Sequence, residues 1–153
     1  MAHVLIIGAG AVGGVTTHKL AQATDVFSRV TLASRSLGRC QTLAGQVKRP
    51  IGIEQVDADD AAQVEALIRR LKPDVLVNVA LPFQNLAIMD ACLATGTPYV
   101  DTACYESLDN PNFSYTYQWP YHERFQQAGI TAVLGCGFDP GVTNAWCAYA
   151  LKH

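Results

Sequence analysis

An apolar run, Val4-Leu5-Ile6-Ile7, passes directly into Gly8-Ala9-Gly10-Ala11-Val12-Gly13, and a helix-forming segment follows. A G-x-G-x-x-G spacing in that setting leaves few architectures open, because it is the turn that opens a βαβ unit and receives a dinucleotide pyrophosphate at a helix N-terminus. Gly8 permits the tight turn, Gly10 lets the backbone approach the pyrophosphate, and Gly13 lets helix and strand pack closely. The alternative is a glycine-rich turn with no ligand.

The rest of the chain repeats this alternation. Short apolar, β-rich runs lie at about residues 3–7, 29–33, 52–56, 74–80, 99–102 and 131–134, with segments of helical period near 11–23, 37–44, 60–71, 84–95 and 120–128 and a last one from about 140. In the segment 60–71, Val64, Leu67, Ile68 and Leu71 fall on one face, at i, i+3, i+4 and i+7. Six strands alternating with helices predict an α/β fold with a doubly wound, mostly parallel sheet in the order 3-2-1-4-5-6. The 153 residues leave room for one dinucleotide-binding domain, 1–153, and no second one. Residues 104–118 show neither period, and a loop of that length is more often functional than idle.

Composition removes other classes. Eleven Lys and Arg against thirteen Asp and Glu give a net charge of −2, with no basic surplus for nucleic acid or an acidic membrane. Five cysteines without a C-x-x-C pair suggest neither a disulfide framework nor a zinc site, and the four histidines have no metal-ligand spacing, so no metal is expected. The start of the chain reads as neither a signal peptide nor a membrane span, and the uncharged run 75–89 is broken by Asn78, Pro82, Gln84 and Asn85. A reduced, cytoplasmic protein is expected. No G-x-S-x-G turn marks a hydrolase.

Ligands of open α/β sheets collect at the carboxyl ends of the strands, so each end is read for chemistry. The second strand closes on Ala33-Ser34-Arg35-Ser36 without the carboxylate that would bind a ribose 2′-hydroxyl. Ser34 offers a hydrogen bond and Arg35 a charged fork for a 2′-phosphate, which predicts NADP(H) over NAD(H). Arg39 either joins this patch, stacks on the adenine, or is a solvated helix charge. Asp57 and Ala58 are placed to flank the adenine, whereas Asp59 and Asp60 read as helix caps. Asn78 to Pro82 either receives the nicotinamide half against its backbone or is an ordinary turn. Asp139 followed by Pro140 reads as a helix cap with proline at the first helical position, or else sets Asp139 beside the nicotinamide and substrate. Cys104 and Cys136 sit at ligand-side ends and read as small buried residues. Phe113, Tyr115, Tyr117, Trp119 and Tyr121, at every second position, together with Glu106, Asp109 and Glu123, would suit a polyammonium ligand; packing of the loop onto its own domain or onto a partner domain is the preferred reading.

The stretches GAGAVGG with HKLAQ, DVFSRVTLASRS, QVDADD, VNVALPFQNLAIMDACL, YVDTACYE and GITAVLGCGFDPGVTNAW together resemble the N-terminal half of the carboxynorspermidine synthases, also called carboxynorspermidine dehydrogenases, of the saccharopine dehydrogenase-like family. The resemblance implies an NADPH-dependent oxidoreductase of polyamine biosynthesis that joins aspartate β-semialdehyde to 1,3-diaminopropane or putrescine and reduces the imine to carboxynorspermidine or carboxyspermidine. The same resemblance has Gly8, Gly10, Ala11, Val12 and Gly13 holding the pyrophosphate, Ser34 and Arg35 the 2′-phosphate, and Asp57 and Ala58 beside the adenine. Ala80, Leu81, Thr102 to Tyr105 and Asp139 would border nicotinamide and substrate, with Tyr105 as a proton donor. Family members continue for roughly as many residues again into a substrate and dimerisation domain, so a homo-oligomer is implied when that domain is present. A half-cleft without it would expose an apolar patch. The rival readings are a saccharopine reductase and a non-catalytic NADP(H)-binding interaction module.

Overall fold

In the computed structural model, which describes residues 1–109, 111 and 114–153, the glycine turn sits at the centre of the sheet. The strands are β1 (Ala2–Ile7), β2 (Phe27–Ser34), β3 (Gly52–Gln55), β4 (Val75–Asn78), β5 (Tyr99–Asp101) and β6 (Ala132–Val133). All pair in parallel in the order β3-β2-β1-β4-β5-β6, the expected topology. The helices are α1 (Ala11–Gln22), α2 (Leu37–Gln46), α3 (Ala61–Leu71), α4 (Asn85–Thr95), α5 (Tyr121–Ala128) and α6 (Val142–Lys152), with 3-10 turns at Pro82–Gln84 and Tyr115–Tyr117.

β1 is apolar at successive positions because both of its faces are covered. Val4 and Ile6, with Val30 and Leu32 of β2, pack toward Leu20 of α1 and Cys40 and Leu43 of α2. Leu5 and Ile7 join the opposite layer, where α3 supplies Val64, Leu67 and Ile68, α4 supplies Ile88, Met89 and Cys92, and α5 supplies Phe125. Each such large side chain contributes about 1.5–3 kcal/mol on burial. In register, Ile7 pairs with Ala33 on one side and Asn78 on the other, so the ligand-side ends of β1, β2 and β4 lie level.

Several element bounds differ from expectation for identifiable reasons. β2 begins at Phe27, earlier than 29, because Ala2 pairs with Phe27. β4 stops at Asn78 because the Asn78 side-chain carbonyl takes the Ala80 N–H at 3.0 Å, withdrawing it from the ladder. The helix expected from about 140 starts instead at Val142, with Gly141 as its N-cap. Here the Gly137 N–H donates to the Pro140 carbonyl and the Val142 N–H to the Gly137 carbonyl, so the chain completes a closed loop before the helix begins. Asp139 therefore does not cap this helix, and its carboxylate accepts the Thr143 hydroxyl at 2.9 Å. Asp60 does cap α3, accepting the N–H groups of Ala62 and Gln63.

α6 buries none of its residues; Trp146 is 61% and Tyr149 67% exposed, beside Phe138 at 66%. In the long loop, Tyr105 and Tyr117 meet edge to face at 5.1 Å, while Trp119 stacks on His122 at the surface. Phe113 lies outside the described residues. Cys104 is buried as expected and Cys136 is exposed, because it follows the edge strand into the open loop.

Candidate cofactor site

The Gly8–Gly13 turn holds its shape through two close approaches. Gly8 has φ +119°, and a Cβ there would stand 2.6 Å from the Val79 backbone. A Cβ at Gly13 would collide with the Gly8 carbonyl oxygen. Gly10 differs, since a Cβ there would meet nothing within 4 Å and would project into open space. Gly10 is also the N-cap of α1, with no side-chain cap and no acidic residue in the first turn. The first N–H groups of α1 are thus left to an anion.

A cleft of about 620 Å³ runs across this turn. On the β1 side Gly8, Gly10, Ala11 and Val12 line it; on the β2 and β3 side Ser34, Arg35, Arg39 and Ala58; on the β4 side Ala80 and Leu81. Ten of the predicted cofactor residues are therefore brought together. Gly13 stands behind the turn, buried, and Asp57 and Thr102 do not line this cleft. The Asp57 carboxylate takes the Asp59 N–H at 3.2 Å in a local turn. Tyr105 and the exposed Asp139 also lie off the cleft lining.

The charge at the β2 end is cationic. Arg35 and Arg39 are exposed and form no ion pair among the described residues. Glu54, on neighbouring β3, is held instead by a two-pronged contact from Arg70 at 2.9 Å, which keeps its carboxyl below the usual range. Gln55 donates its amide to the Arg35 carbonyl at 3.1 Å, anchoring that backbone. The Ser34 hydroxyl accepts the Ser36 N–H at 3.0 Å and donates to the Ser36 carbonyl at 3.1 Å, a local bond that a phosphate oxygen can replace. An uncapped helix, a vacant Cβ position at Gly10 and two uncommitted guanidinium groups fit the pyrophosphate and 2′-phosphate of NADP(H).

A second group of polar residues lies beneath the ligand-side ends of β4, β5 and β6, and sequence reasoning overlooked it. Asp101, 1% exposed, closes β5. Its Oδ1 accepts the Gly135 N–H at 2.7 Å; its Oδ2 accepts the Gln118 amide at 2.7 Å and the Tyr99 hydroxyl at 3.0 Å. Asn78 donates to Tyr99 Oη at 3.0 Å and to Asn85 Oδ1 at 2.9 Å, and Asn85 donates to the Ala103 carbonyl at 2.8 Å. Gln118 Oε1 accepts the Tyr105 N–H at 2.7 Å. Every partner of Asp101 donates to it, as an ionised carboxylate requires. Burial pushes its pKa up, and the Gly135 N–H, Gln118 amide and Tyr99 hydroxyl oppose that shift. Burial and the neighbouring Asp101 together drive the Tyr99 hydroxyl well above its ordinary value. The available signal was a lone polar residue in each of two apolar strand runs, VLVN and YVD.

With this geometry in hand, the family profile described as the saccharopine dehydrogenase NADP binding domain matches residues 4–133. The chain belongs to the saccharopine dehydrogenase NADP-binding domain family. NADP(H) is accordingly the cofactor of this domain. Carboxyaminopropylagmatine dehydrogenase of Synechocystis sp. is 47% identical over all of this chain and 38% of its own length. Carboxynorspermidine synthase of Vibrio alginolyticus is 40% identical over 98% of the chain and 39% of its own length. The chain thus spans less than two-fifths of these curated relatives, which extend further beyond the match than an equal second half. Among solved structures, apo saccharopine dehydrogenase (L-Glu forming) from Saccharomyces cerevisiae superposes with a TM-score of 0.78 at 21% identity, over 99% of this chain and 31% of that one. That likeness concerns the fold of the NADP-binding domain.

Of the other groups weighed in the sequence, no cluster of three or more His, Cys, Asp or Glu side chains with metal-binding geometry occurs among the described residues. No helix among them is long and apolar enough to cross a membrane.

Proposed function

We propose that this NADP-binding domain serves an oxidoreductase that condenses aspartate β-semialdehyde with an amine and reduces the resulting imine, a step of polyamine biosynthesis. The observation that carries this reading is the identity of 40–47% to relatives whose names describe carboxylated aminopropyl amines. The amine is 1,3-diaminopropane or putrescine on the carboxynorspermidine reading. The higher identity to carboxyaminopropylagmatine dehydrogenase favours a guanidino amine, agmatine, as a second reading.

When bound, NADPH supplies the hydride. In this reading the chain's own residues bind and orient. Gly10, Ala11 and Val12 present helix N–H groups to the pyrophosphate, with Gly8 and Gly13 shaping the turn. Ser34, Arg35 and Arg39 meet the 2′-phosphate and adenine edge, and Ala58 flanks the adenine, with Asp57 shaping the turn beside it. Ala80 and Leu81 border the nicotinamide half. Tyr105 donates a proton during condensation, and the Asp139 carboxylate faces the cationic amine. A substrate domain outside 1–153, a homo-oligomer built through it and a cytoplasmic setting complete the proposal; the five free thiols agree with a reducing compartment.

Calorimetric titration of the chain with NADPH and NADH, beside Arg35→Ala, tests the cofactor half of this reading. Loss of a charge-assisted phosphate contact should weaken NADPH about 10- to 100-fold and leave NADH unchanged. Equal affinity for both nucleotides in the wild type would overturn the assignment of Arg35. Product analysis of the longer enzyme with aspartate β-semialdehyde and each amine tests the substrate half; saccharopine formed from aminoadipate semialdehyde and glutamate would replace it.

A further inference from the structure

The cofactor cleft runs from the β2 end, where the uncommitted arginines lie, across the β1 turn to Ala80 and Leu81 after β4. With the 2′-phosphate at the β2 end, the sheet order directs the other half of the dinucleotide toward β4 and β5. Beneath those ends lies a buried carboxylate that the binding reading leaves without a task. Burying an ionised carboxylate is costly without a cation, and no Lys, Arg or His side chain is bonded to Asp101 among the described residues. Neutral donors from separate parts of the fold hold it instead: Tyr99 of β5, Asn85 of α4 at 3.4 Å, Gln118 of the long loop, and the Gly135 N–H after β6.

We propose that Asp101 is a positioning residue for the nicotinamide half of the cofactor. On one side the chain of bonds runs Asp101–Tyr99–Asn78 and ends on the Ala80 N–H, which sets a wall of the cleft. On the other it runs Asp101–Gln118 and ends on the Tyr105 N–H, while Gly135 is held directly. One acceptor thereby locks the turn after β4 to the loops after β5 and β6, so that a dinucleotide seated against Ala80 meets a loop at a fixed separation. The titratable groups facing Asp101 are Tyr99, Cys104 and Tyr115, each with its pKa raised chiefly by burial and further by Asp101. This inference rests on the cofactor reading above.

Gln118→Glu separates the two. Glutamate keeps the acceptor for the Tyr105 N–H but replaces the donor 2.7 Å from Asp101 with a second carboxylate, so the pair repels until it shares a proton. Affinities for NADP⁺ and for adenosine 2′,5′-bisphosphate, which fills only the adenine half, are measured between about pH 8 and about pH 5.5, each referred to wild type at the same pH. The expected result is a loss of about tenfold or more for NADP⁺ at the high end, recovered at the low end, with the bisphosphate unaffected throughout. Tyr99→Phe, which removes only the hydroxyl joining Asp101 to Asn78, should weaken NADP⁺ selectively at every pH, and it decides alone if Gln118→Glu does not fold. Parallel losses for both ligands, no loss for either, or no recovery at low pH would overturn the positioning role while leaving the cofactor site intact. Wild-type chain that binds neither ligand would remove the cofactor reading itself.

Discussion

The glycines of the phosphate turn share a residue type and differ in task. Gly13 lies against the Gly8 carbonyl, whereas Gly10 opens onto the cleft. Gly13→Ala should therefore cost stability, about 1–3 kcal/mol by overpacking, and open the turn. Gly10→Ala should leave the thermal midpoint within experimental error and weaken NADPH, because its methyl group occupies the path of the pyrophosphate. Thermal melts and titrations of both variants check this; a destabilised Gly10→Ala with normal binding would reverse the assignment. Both positions are simply glycine in the G-x-G-x-x-G spacing, and only the surrounding atoms separate support from contact.

At the scale of the element, α3 shows local chemistry prevailing. Its apolar stripe and Asp60 were both legible, and Asp60 takes the N–H groups of Ala62 and Gln63 at 2.9 and 3.2 Å and the Gln63 side-chain amide at 3.0 Å. These bonds, the Gln63 side chain first, hold the Asp60 pKa below the ordinary aspartate value. The folded pKa lies below the unfolded one, so the cap's contribution is complete above the unfolded value and is lost as pH falls through the folded value. Asp60→Ala should lower the thermal midpoint at neutral pH, and its difference from wild type should vanish in strong acid. A pH-independent difference would mean that the carboxylate is not the stabilising species. α6 teaches the converse: Asp139-Pro140 has the local form of a cap, but the hydrogen bonds of the 137–141 loop, set by its packing after β6, move the helix start to Val142.

Over the whole molecule, the cleft is assembled from the ends of β1, β2, β3 and β4, elements that the cofactor would tie together. NADPH at about a hundredfold excess over its Kd should stabilise the fold by about 2.7 kcal/mol. For a domain of this size that raises the midpoint by roughly 5–10 °C, with a smaller rise for NADH, readable in a thermal-shift titration. The sequence by itself determined the strand order, the glycine turn, the carboxylate-free β2 end and most of the cleft lining. Those features depend on burial, backbone hydrogen bonding and turn chemistry between neighbours in the chain, which periodicity and spacing record. Tertiary structure alone decided that Asn78, Asn85, Tyr99, Asp101 and Gln118 form one buried network, and that Asp57, Thr102, Tyr105 and Asp139 stay off the cleft lining. The bonded side chains in that network stand up to 21 positions apart, and a hydrogen bond between side chains needs a distance and an angle that only the packing of whole elements supplies.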